Sequence, residues 1–229
     1  NFGLGLNTFY ETIEADSTAS ARQKDQAGNY FDMFVNLKFD YDKRDQVFQP
    51  TDGFRSRYST DVPLISDSNT FSNTYTFSNY FQYLEKNVFK SSLFLKSTTS
   101  IKGENVKLSE RIYIPGSKLR GFEFGKIGPK DGDDFIGGNY AVALNFSTTV
   151  PQLLENNQST DFSVFMDIAN LWGVDYNSSL ETDKIRSSVG IAMDYYSIVG
   201  PINFSLSYPL LKDSTDVTET FRFNLGTTF

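Results

Sequence analysis

The sequence predicts an all-β fold, an antiparallel transmembrane β-barrel, and three observations carry this prediction. Short segments in which apolar and polar residues alternate recur along the chain, as in strands that have two different faces. Only 39% of the residues are hydrophobic, yet the chain holds 22 Phe and 13 Tyr, and aromatic girdles mark both membrane interfaces of such barrels. The second face of the strands carries Ser, Asn, Gly, Ala and charged residues, which suit a polar lumen better than a sandwich core.

About ten strands are predicted in all, and five of them precede a long interruption. In the second strand, four of the six positions on one face are charged, so that face cannot contact lipid. A polar stretch predicts a loop at 15–28, and Pro50 followed by Asp52 and Gly53 predicts a tight turn at 46–53. The five strands are Phe2–Ile13, Tyr30–Tyr41, Phe54–Pro63, Thr70–Tyr83 and Val88–Ile101.

The interruption is Ile114–Gly138, with the sequence IPGSKLRGFEFGKIGPKDGDDFIGG. It is too long and too irregular for a hairpin turn. A long glycine-rich loop inside a series of strands is usually functional or disordered. The rest of the chain is therefore organised around this loop.

Five further strands are predicted after the loop, and the connections alternate between tight turns and longer polar loops. Transmembrane barrels have short periplasmic turns and longer extracellular loops. The later strands cover 139–146, 162–169, 186–195, 202–208 and 221–229. With the last residue on the periplasmic side, the extracellular loops are 15–28, 66–69, 104–138, 173–183 and 210–218, and the periplasmic turns are 46–53, 84–87, 151–160 and 198–201.

The composition excludes several classes of function. The chain has no Cys and no His, which removes disulfides, thiolate and imidazole metal ligands and Ser-His-Asp catalysis. An outer-membrane hydrolase would need a site of Asp and Glu alone or of Ser and Lys, and no such cluster stands out. The net charge of −7, without long blocks of like charge, argues against nucleic acid as a partner. We predict no enzyme activity, no catalytic residue, no metal and no cofactor.

An ordered series of motifs gives the chain a resemblance to a known family. The series is RGF at 120–122, IGPKD at 127–131, GGN at 137–139, MDIANLW at 166–172, VGP at 199–201 and FRFNLGTTF at 221–229. In this order the motifs resemble the barrel of the BamA family of outer-membrane protein assembly factors. The wider superfamily also includes TamA and the two-partner secretion transporters. Taken alone, the last motif also fits an ordinary amphipathic strand.

The resemblance implies an architecture and a function. The family barrel has about sixteen strands and follows periplasmic POTRA domains, so residues 1–229 are expected to be the C-terminal portion of a barrel, without its first strands and POTRA domains. In the bacterial outer membrane it would insert and fold nascent β-barrel proteins without covalent catalysis. Its partners would be those nascent barrel proteins, accessory outer-membrane lipoproteins, and the lipid bilayer with its lipopolysaccharide. The alternative is a protein-secreting transporter pore, TamA-like or of the two-partner secretion type.

The resemblance also implies a clamp inside the lumen. In the family, the long loop folds back into the barrel, and the Arg of its RGF motif contacts acidic residues on the inner wall. By motif, that residue is Arg120. Gly121 lets the backbone approach the wall closely, and Phe122 gives the loop an apolar anchor. A guanidinium in a narrow lumen needs a carboxylate partner, and a bidentate pair fixes its orientation. The alternative for Arg120 is a solvated loop side chain.

Three wall residues are candidate partners of this loop. Asp167 lies on the lumen-facing set of its strand, inside the MDIANLW motif, and is the expected partner of Arg120. Many family members carry a Glu on the preceding strand where this chain has Asn145, so the usual second carboxylate is missing. Asp194 is a candidate to supply that missing charge, as is Glu123 in the loop itself.

The last strand carries the C-terminal barrel signature. Its apolar residues alternate along one face, and they are Phe221, Phe223, Leu225 and Phe229. A strand of this kind presents an apolar edge that can pair with an assembly machine by β-augmentation.

Overall fold

The computed structural model describes residues 1–84, 87–150, 159–197 and 200–225. Ten strands of this part form one sheet, and a two-stranded hairpin stands apart from it. In chain order the strands are β1 (Phe2–Ile13), β2 (Gly28–Asp42), β3 (Gly53–Ser66), β4 (Thr70–Leu84), β5 (Asn87–Ser100), β6 (Lys130–Asp131), β7 (Asp134–Phe135), β8 (Tyr140–Val150), β9 (Thr160–Trp172), β10 (Arg186–Ser197), β11 (Gly200–Leu211) and β12 (Phe221–Leu225). The all-β fold and the number of strands in the sheet are confirmed.

The sheet is an up-and-down meander. Its strand order is β1-β2-β3-β4-β5-β8-β9-β10-β11-β12, and β6 pairs only with β7. Every neighbouring pair is antiparallel. Because β5 and β8 are neighbours, the whole segment between them leaves the sheet and returns to it. This is the order of an antiparallel barrel wall.

Helical structure in the described residues is short. Helix α1 (Ala21–Asp25) lies in the loop between β1 and β2, where its N-cap Ser20 accepts a hydrogen bond from the backbone of Gln23. Two 3₁₀ turns cover Leu108–Glu110 and Ser178–Leu180. Among the described residues, no helix has the length and apolar character needed to cross a bilayer.

The two faces of the sheet differ as the alternation predicts. On β2, Phe39 and Tyr41 are about half exposed, whereas Asp32 and Asn36 are buried. Aromatic rings contact one another across neighbouring strands on the outer face; the pairs Phe39–Tyr58, Phe54–Phe77 and Phe89–Phe146 have centroids 5.8–6.3 Å apart. An outward face of exposed aromatic and aliphatic residues is what lipid contact requires.

The inner face is less polar than the sequence predicts, because the long loop adds an apolar core to the lumen. Ala141 and Ala143 on β8 and Ala169 on β9 are buried, and their small side chains leave room for large loop residues. The buried cluster comprises Phe94, Ile112, Ile114, Leu119, Phe122, Ile127, Ala141, Ala143, Ala169 and Leu171. The loop therefore packs against the wall as a core rather than resting in water.

The chain turns between β2 and β3 where the sequence predicts, but over more residues than a tight turn: the Asp45 N–H donates to the carbonyl of Asp52 at 3.1 Å and closes a loop of residues 46–51. The carboxylate of Asp45 organises it by accepting hydrogen bonds from the backbone and hydroxyl of Thr51 at 3.0 and 2.6 Å. From this loop, Gln49 Nε2 reaches Asp161 Oδ2 on β9 at 2.8 Å. A connection between neighbouring strands thus contacts a distant strand across one end of the lumen.

Other predicted turns and loops shift by a few residues. Strand β9 begins at Thr160 and β11 continues to Leu211, so both extend into segments predicted as turn or loop. Parts of three predicted periplasmic turns, at 85–86, 151–158 and 198–199, lie outside the described residues.

Candidate functional site

The segment between β5 and β8 folds into the lumen. Ile112 and Gly138 close its base with two backbone hydrogen bonds of 2.8 and 3.0 Å. Leu119 and Phe122 are each 2% exposed, although they lie in an irregular loop. This segment has no regular strand pairing to hold it, and the burial of its apolar side chains in the lumen stabilises it instead. We call residues 101–139 the lumenal loop.

Arg120 and Asp167 form the central contact of this loop. Arg120 Nε donates to Asp167 Oδ2 at 2.7 Å, and Nη2 donates to Oδ1 at 2.8 Å. The backbone N–H of Arg120 also donates to Oδ2, at 3.0 Å. The Asp167 side chain is fully buried and that of Arg120 is 15% exposed. A bidentate ion pair with a third donor fixes both the position and the orientation of the loop.

An aromatic ring supports the guanidinium from below. The Cζ atom of Arg120 lies 3.3 Å from the centroid of Phe165, which is on the same strand as Asp167. Cation–π attraction is strongest when the site is desolvated, and Phe165 is buried. Gly190, the register partner of Phe165 on β10, has no side chain to occupy this space. A Cβ atom there would lie 2.5 Å from the ring and 2.2 Å from the carbonyl oxygen of Leu206.

Asn145 stands where the family resemblance leads one to expect a carboxylate. It is the register partner of Asp167, and its Nδ2 donates to Asp167 Oδ1 at 2.9 Å and to the carbonyl of Lys118 at 2.8 Å. The amide therefore bridges the wall carboxylate and the loop backbone. One Arg then faces one Asp, with a neutral donor holding the carboxylate in place.

Gly121 presses the loop backbone against β10 and β11. Its φ is +90°, and an added Cβ would lie 3.1 Å from that of Ser188 and 3.2 Å from that of Ser207. Ser188 Oγ donates to the carbonyl of Arg120 at 2.5 Å. Glycine is thus required twice, for the positive φ and for the close approach.

The segment after the RGF motif is held by the last hairpin. Arg222 Nη2 on β12 donates to the carbonyl of Phe122 at 2.5 Å and to Glu219 Oε2 at 2.7 Å. The Glu219 N–H donates to the carbonyl of Gly121 at 3.1 Å. Glu123 and Val217 add a backbone hydrogen bond of 3.0 Å. The lumenal loop therefore contacts β9 and β10 on one side and β12 on the other.

The remaining predicted residues lie outside the clamp. Asp194 accepts a hydrogen bond from Asn203 Nδ2 at 2.7 Å, and its register partner on β9 is Asp161 rather than Asp167. Glu123 is exposed. In the described part of the chain, neither carboxylate pairs with Arg120, because Asp194 lies too far along its strand and Glu123 points to solvent.

The C-terminal signature lies on the outer face. Phe221, Phe223 and Leu225 are each more than half exposed, and the Phe223 ring is 5.2 Å from that of Phe204 on β11. Phe229 lies outside the described residues.

Sequence reasoning missed Phe165, Ser188, Gly190 and Arg222 as members of the site. One signal was available: Phe165 is an aromatic residue on the otherwise polar face of β9. On a face that points into a lumen, such a ring needs a partner from elsewhere in the chain. Small neighbours such as Ser188 and Gly190 carry no comparable signal, because their role is to leave space.

Lys118 adds an unbalanced charge just before the clamp. Burial, together with the nearby cations Lys90, Arg57 and Arg120, lowers the pKa of Lys118 to about 8. Asp167 opposes this shift, but its oxygens are already bonded to Arg120 and Asn145. Lys118 is therefore a cation that the folded state holds at a cost.

Comparison with known proteins gives a consistent result. The model of the Omp85 superfamily domain matches residues 1–229. "Outer membrane protein assembly factor BamA" of Neisseria meningitidis serogroup B is 26% identical over 221 residues, which is 82% of this chain and 27% of that protein. The protein of the same name from Neorickettsia risticii is 23% identical over 233 residues, covering 99% of this chain and 31% of that protein.

A solved structure extends the similarity to the fold. The crystal structure of BamA from Haemophilus ducreyi lacking POTRA domains 1–3 aligns with a TM-score of 0.84 and 25% identity, over 97% of this chain and 50% of that chain. The chain thus spans about a third or less of the length of the curated relatives and half of the solved structure.

Proposed function

Because the chain belongs to the Omp85 superfamily, we propose that it forms the C-terminal portion of a larger barrel whose full-length protein assembles other outer-membrane proteins. It is a β-barrel chain of the bacterial outer membrane. The relatives are named as outer-membrane protein assembly factors. The proposed activity is the insertion and folding of nascent β-barrel proteins, without a covalent step.

The clamp of the lumenal loop carries this proposal. Arg120, supplied by the RGF motif, makes three hydrogen bonds to the buried carboxylate of Asp167. The loop that bears it fills part of the lumen with apolar side chains. A loop fixed in this way keeps the wall strands β8 to β12 in a defined arrangement. Such a wall is a template for strand pairing rather than an open conduit.

The proposed mechanism uses backbone hydrogen bonds. Strand β12 pairs with β11 over Ile202–Leu206, and its outer face carries the apolar signature residues. A nascent strand would replace hydrogen bonds to water with hydrogen bonds to an edge strand at a seam of the barrel. Thinning of the bilayer beside that seam would lower the barrier to insertion. Nascent barrel proteins, accessory outer-membrane lipoproteins and lipid with lipopolysaccharide are the proposed partners.

Asp167→Asn in the full-length protein tests the role of the clamp. The exchange keeps the shape of the side chain but leaves Arg120 without its charge partner, which costs about 3–5 kcal/mol for a buried pair. We expect folded barrel with a slower assembly of newly made outer-membrane proteins, measured by pulse labelling of heat-modifiable barrels. The matched control is Asp194→Asn, which removes a lumenal carboxylate outside the clamp and should assemble at the normal rate.

Two outcomes would contradict the proposal. Assembly at the wild-type rate in Asp167→Asn would remove the clamp from the mechanism. The second outcome concerns cells that lack the full-length protein. If these cells still assemble outer-membrane barrels but fail to release one secreted protein, the secretion transporter is favoured instead.

A further inference from the structure

Lys107 is a buried cation that the clamp does not use. It lies in the lumenal loop, thirteen positions before Arg120, and its side chain is only 5% exposed. Its Nζ atom lies 2.8 Å from Glu11 Oε2, 3.1 Å from Asp32 Oδ2 and 3.8 Å from Glu110 Oε1. It also lies 4.5 Å from the centroid of Tyr30. Glu11 is on β1, and Asp32 and Tyr30 are on β2.

Asp32 is prepared to receive this cation. Its side chain is 4% exposed, and it accepts hydrogen bonds from Ser66 Oγ at 2.6 Å and from the N–H of Ser68 at 3.1 Å. A carboxylate held by donors at the end of β3 and in the turn that follows it needs no rearrangement to bind an ammonium group. Asp32 therefore has the same role toward Lys107 as Asp167 has toward Arg120.

The backbone around Lys107 is attached to the same wall. The Leu108 N–H donates to Gln26 Oε1 at 2.8 Å, and Ser109 Oγ donates to Glu11 Oε2 at 3.0 Å. These contacts join the lumenal loop to β1 and to the connection between β1 and β2. In the sheet, β2 is separated from β9 by β3, β4, β5 and β8. Lys107 and Arg120, two cations of one loop, thus reach two separate parts of the wall.

Lys107 stays charged in this setting. Burial alone would lower its pKa, but the hydrogen bonds to Glu11 and Asp32 and the nearby charge of Glu110 outweigh burial and raise the pKa above its ordinary value. A charged Lys107 supplies the attraction that an ion pair requires.

We propose that Lys107 is a second clamp of the lumenal loop, which fixes the loop to β1 and β2 as Arg120 fixes it to β9. The loop then acts as a crossbar between two parts of the wall. Once one clamp has formed, the other can form at a smaller cost in conformational entropy, because the loop between them is already restrained. The two clamps therefore stabilise each other. The structural role of Lys107 does not depend on the proposed function; only its expected effect on the assembly of outer-membrane proteins rests on that proposal.

Limited proteolysis of the full-length protein in intact cells tests the second clamp. Arg111 is buried beside Asp175 and lies four positions after Lys107, so the bond that follows it is shielded from trypsin while the loop is held. In Lys107→Met we expect cleavage after Arg111 to become about tenfold faster or more, because local opening controls access to that bond. The control is Lys102→Met, which changes an exposed lysine of the same loop and should leave the cleavage rate unchanged.

A second variant separates an ionic role from simple packing. Lys107→Met leaves Asp32 buried without its cation, so adding Asp32→Asn should restore part of the resistance to trypsin. If the double variant is cleaved as fast as Lys107→Met, or faster, the ionic clamp is refuted. Should Lys107→Met fail to fold, Asp32→Asn alone gives the test from the wall side, and wild-type resistance in it overturns the proposal.

Assembly of outer-membrane proteins is measured in the same cells. Normal cleavage in Lys107→Met removes the second clamp, whatever the assembly rate. Faster cleavage with normal assembly keeps the clamp and counts against the role of the loop in the proposed function.

Discussion

At the scale of single residues, Asp167 explains how one carboxylate holds a long loop. It accepts three hydrogen bonds from Arg120 and one from Asn145, all between 2.7 and 3.0 Å. A fully buried carboxylate is costly unless its lone pairs are satisfied in this way. The site does not need a second carboxylate, because the amide of Asn145 occupies that position and donates a hydrogen bond to Asp167 without adding charge.

Gly121→Ala should loosen the loop at its point of closest approach to the wall. The φ of +90° disfavours any side chain, and the new Cβ would press on Ser188 and Ser207. We expect a loss of about 2–4 kcal/mol from strain and overpacking together, measured as a lower unfolding temperature of the barrel. The control is Gly103→Ala, which has φ +72° and no atom within 4 Å of the added Cβ. If both variants cost the same, contact with the wall contributes nothing.

Lys118→Met should stabilise the folded barrel at neutral pH. Burial lowers the pKa of Lys118 to about 8, so below that pH the folded state holds an unfavourable cation that the unfolded state solvates freely. The stabilisation, at most about 2 kcal/mol after solvent screening, should be present at pH 7. It should shrink as pH rises above about 8, where the wild-type side chain loses its charge on folding. Unfolding temperatures at pH 7 and above pH 9 check this, and an advantage that grows with pH would contradict it.

At the scale of elements, the strands were predictable because lipid and lumen impose alternation on them. On β2 the charged positions share the inner face and the apolar ones the outer face, except for Phe34, which is buried on the inner face. Asp167 was predictable for the same reason, together with its motif. Asp194 lies on the lumen-facing side of β10, but its register partner on β9 is Asp161 and not Asp167. The alternation of polar and apolar residues predicts which face a residue occupies, but not its position along the strand.

Connections were less predictable because their structure depends on distant contacts. The chain turns at 46–51 as predicted, but the hydrogen bonds of Asp45 with Thr51 and of Gln49 with Asp161 on β9 have no local signal in the sequence. Helix α1 was missed inside a polar stretch, where its one local signal is the N-cap Ser20. The apolar packing of the lumenal loop on small wall residues also has no local signature.

Ala143→Leu tests the fit between β8 and the lumenal loop. Ala143 is fully buried in the lumen, and its register partners are Phe94 and Ala169. The larger side chain should displace loop residues at a cost of about 1–3 kcal/mol and expose the bond after Arg111 to trypsin. Val142→Leu, on the outer face of the same strand, is the control and should change neither stability nor cleavage. Equal behaviour of the two variants would show that the loop does not pack on this position.

At the scale of the whole molecule, the lumenal loop fills part of the lumen and forms a hydrophobic core with the inner face of the wall. A barrel wall has one apolar face toward lipid, and its inner face is usually filled by water or by a plug. Here the loop brings aliphatic residues to small wall residues and brings Arg120 to Asp167. The stability of the barrel and the function proposed for it therefore depend on the same segment.

A double-mutant cycle at the clamp tests this account most directly. Arg120→Met, Asp167→Asn and the double variant are made in the full-length protein, and both the unfolding temperature of the barrel and the assembly rate are measured. Each single variant should be strongly destabilised, because it leaves one buried polar partner unmatched. The double variant should lose at least about 1.5 kcal/mol less than the sum of the singles, and assembly should follow the same order. Additive losses, or normal assembly in all three variants, would contradict a lumenal clamp formed by Arg120 and Asp167.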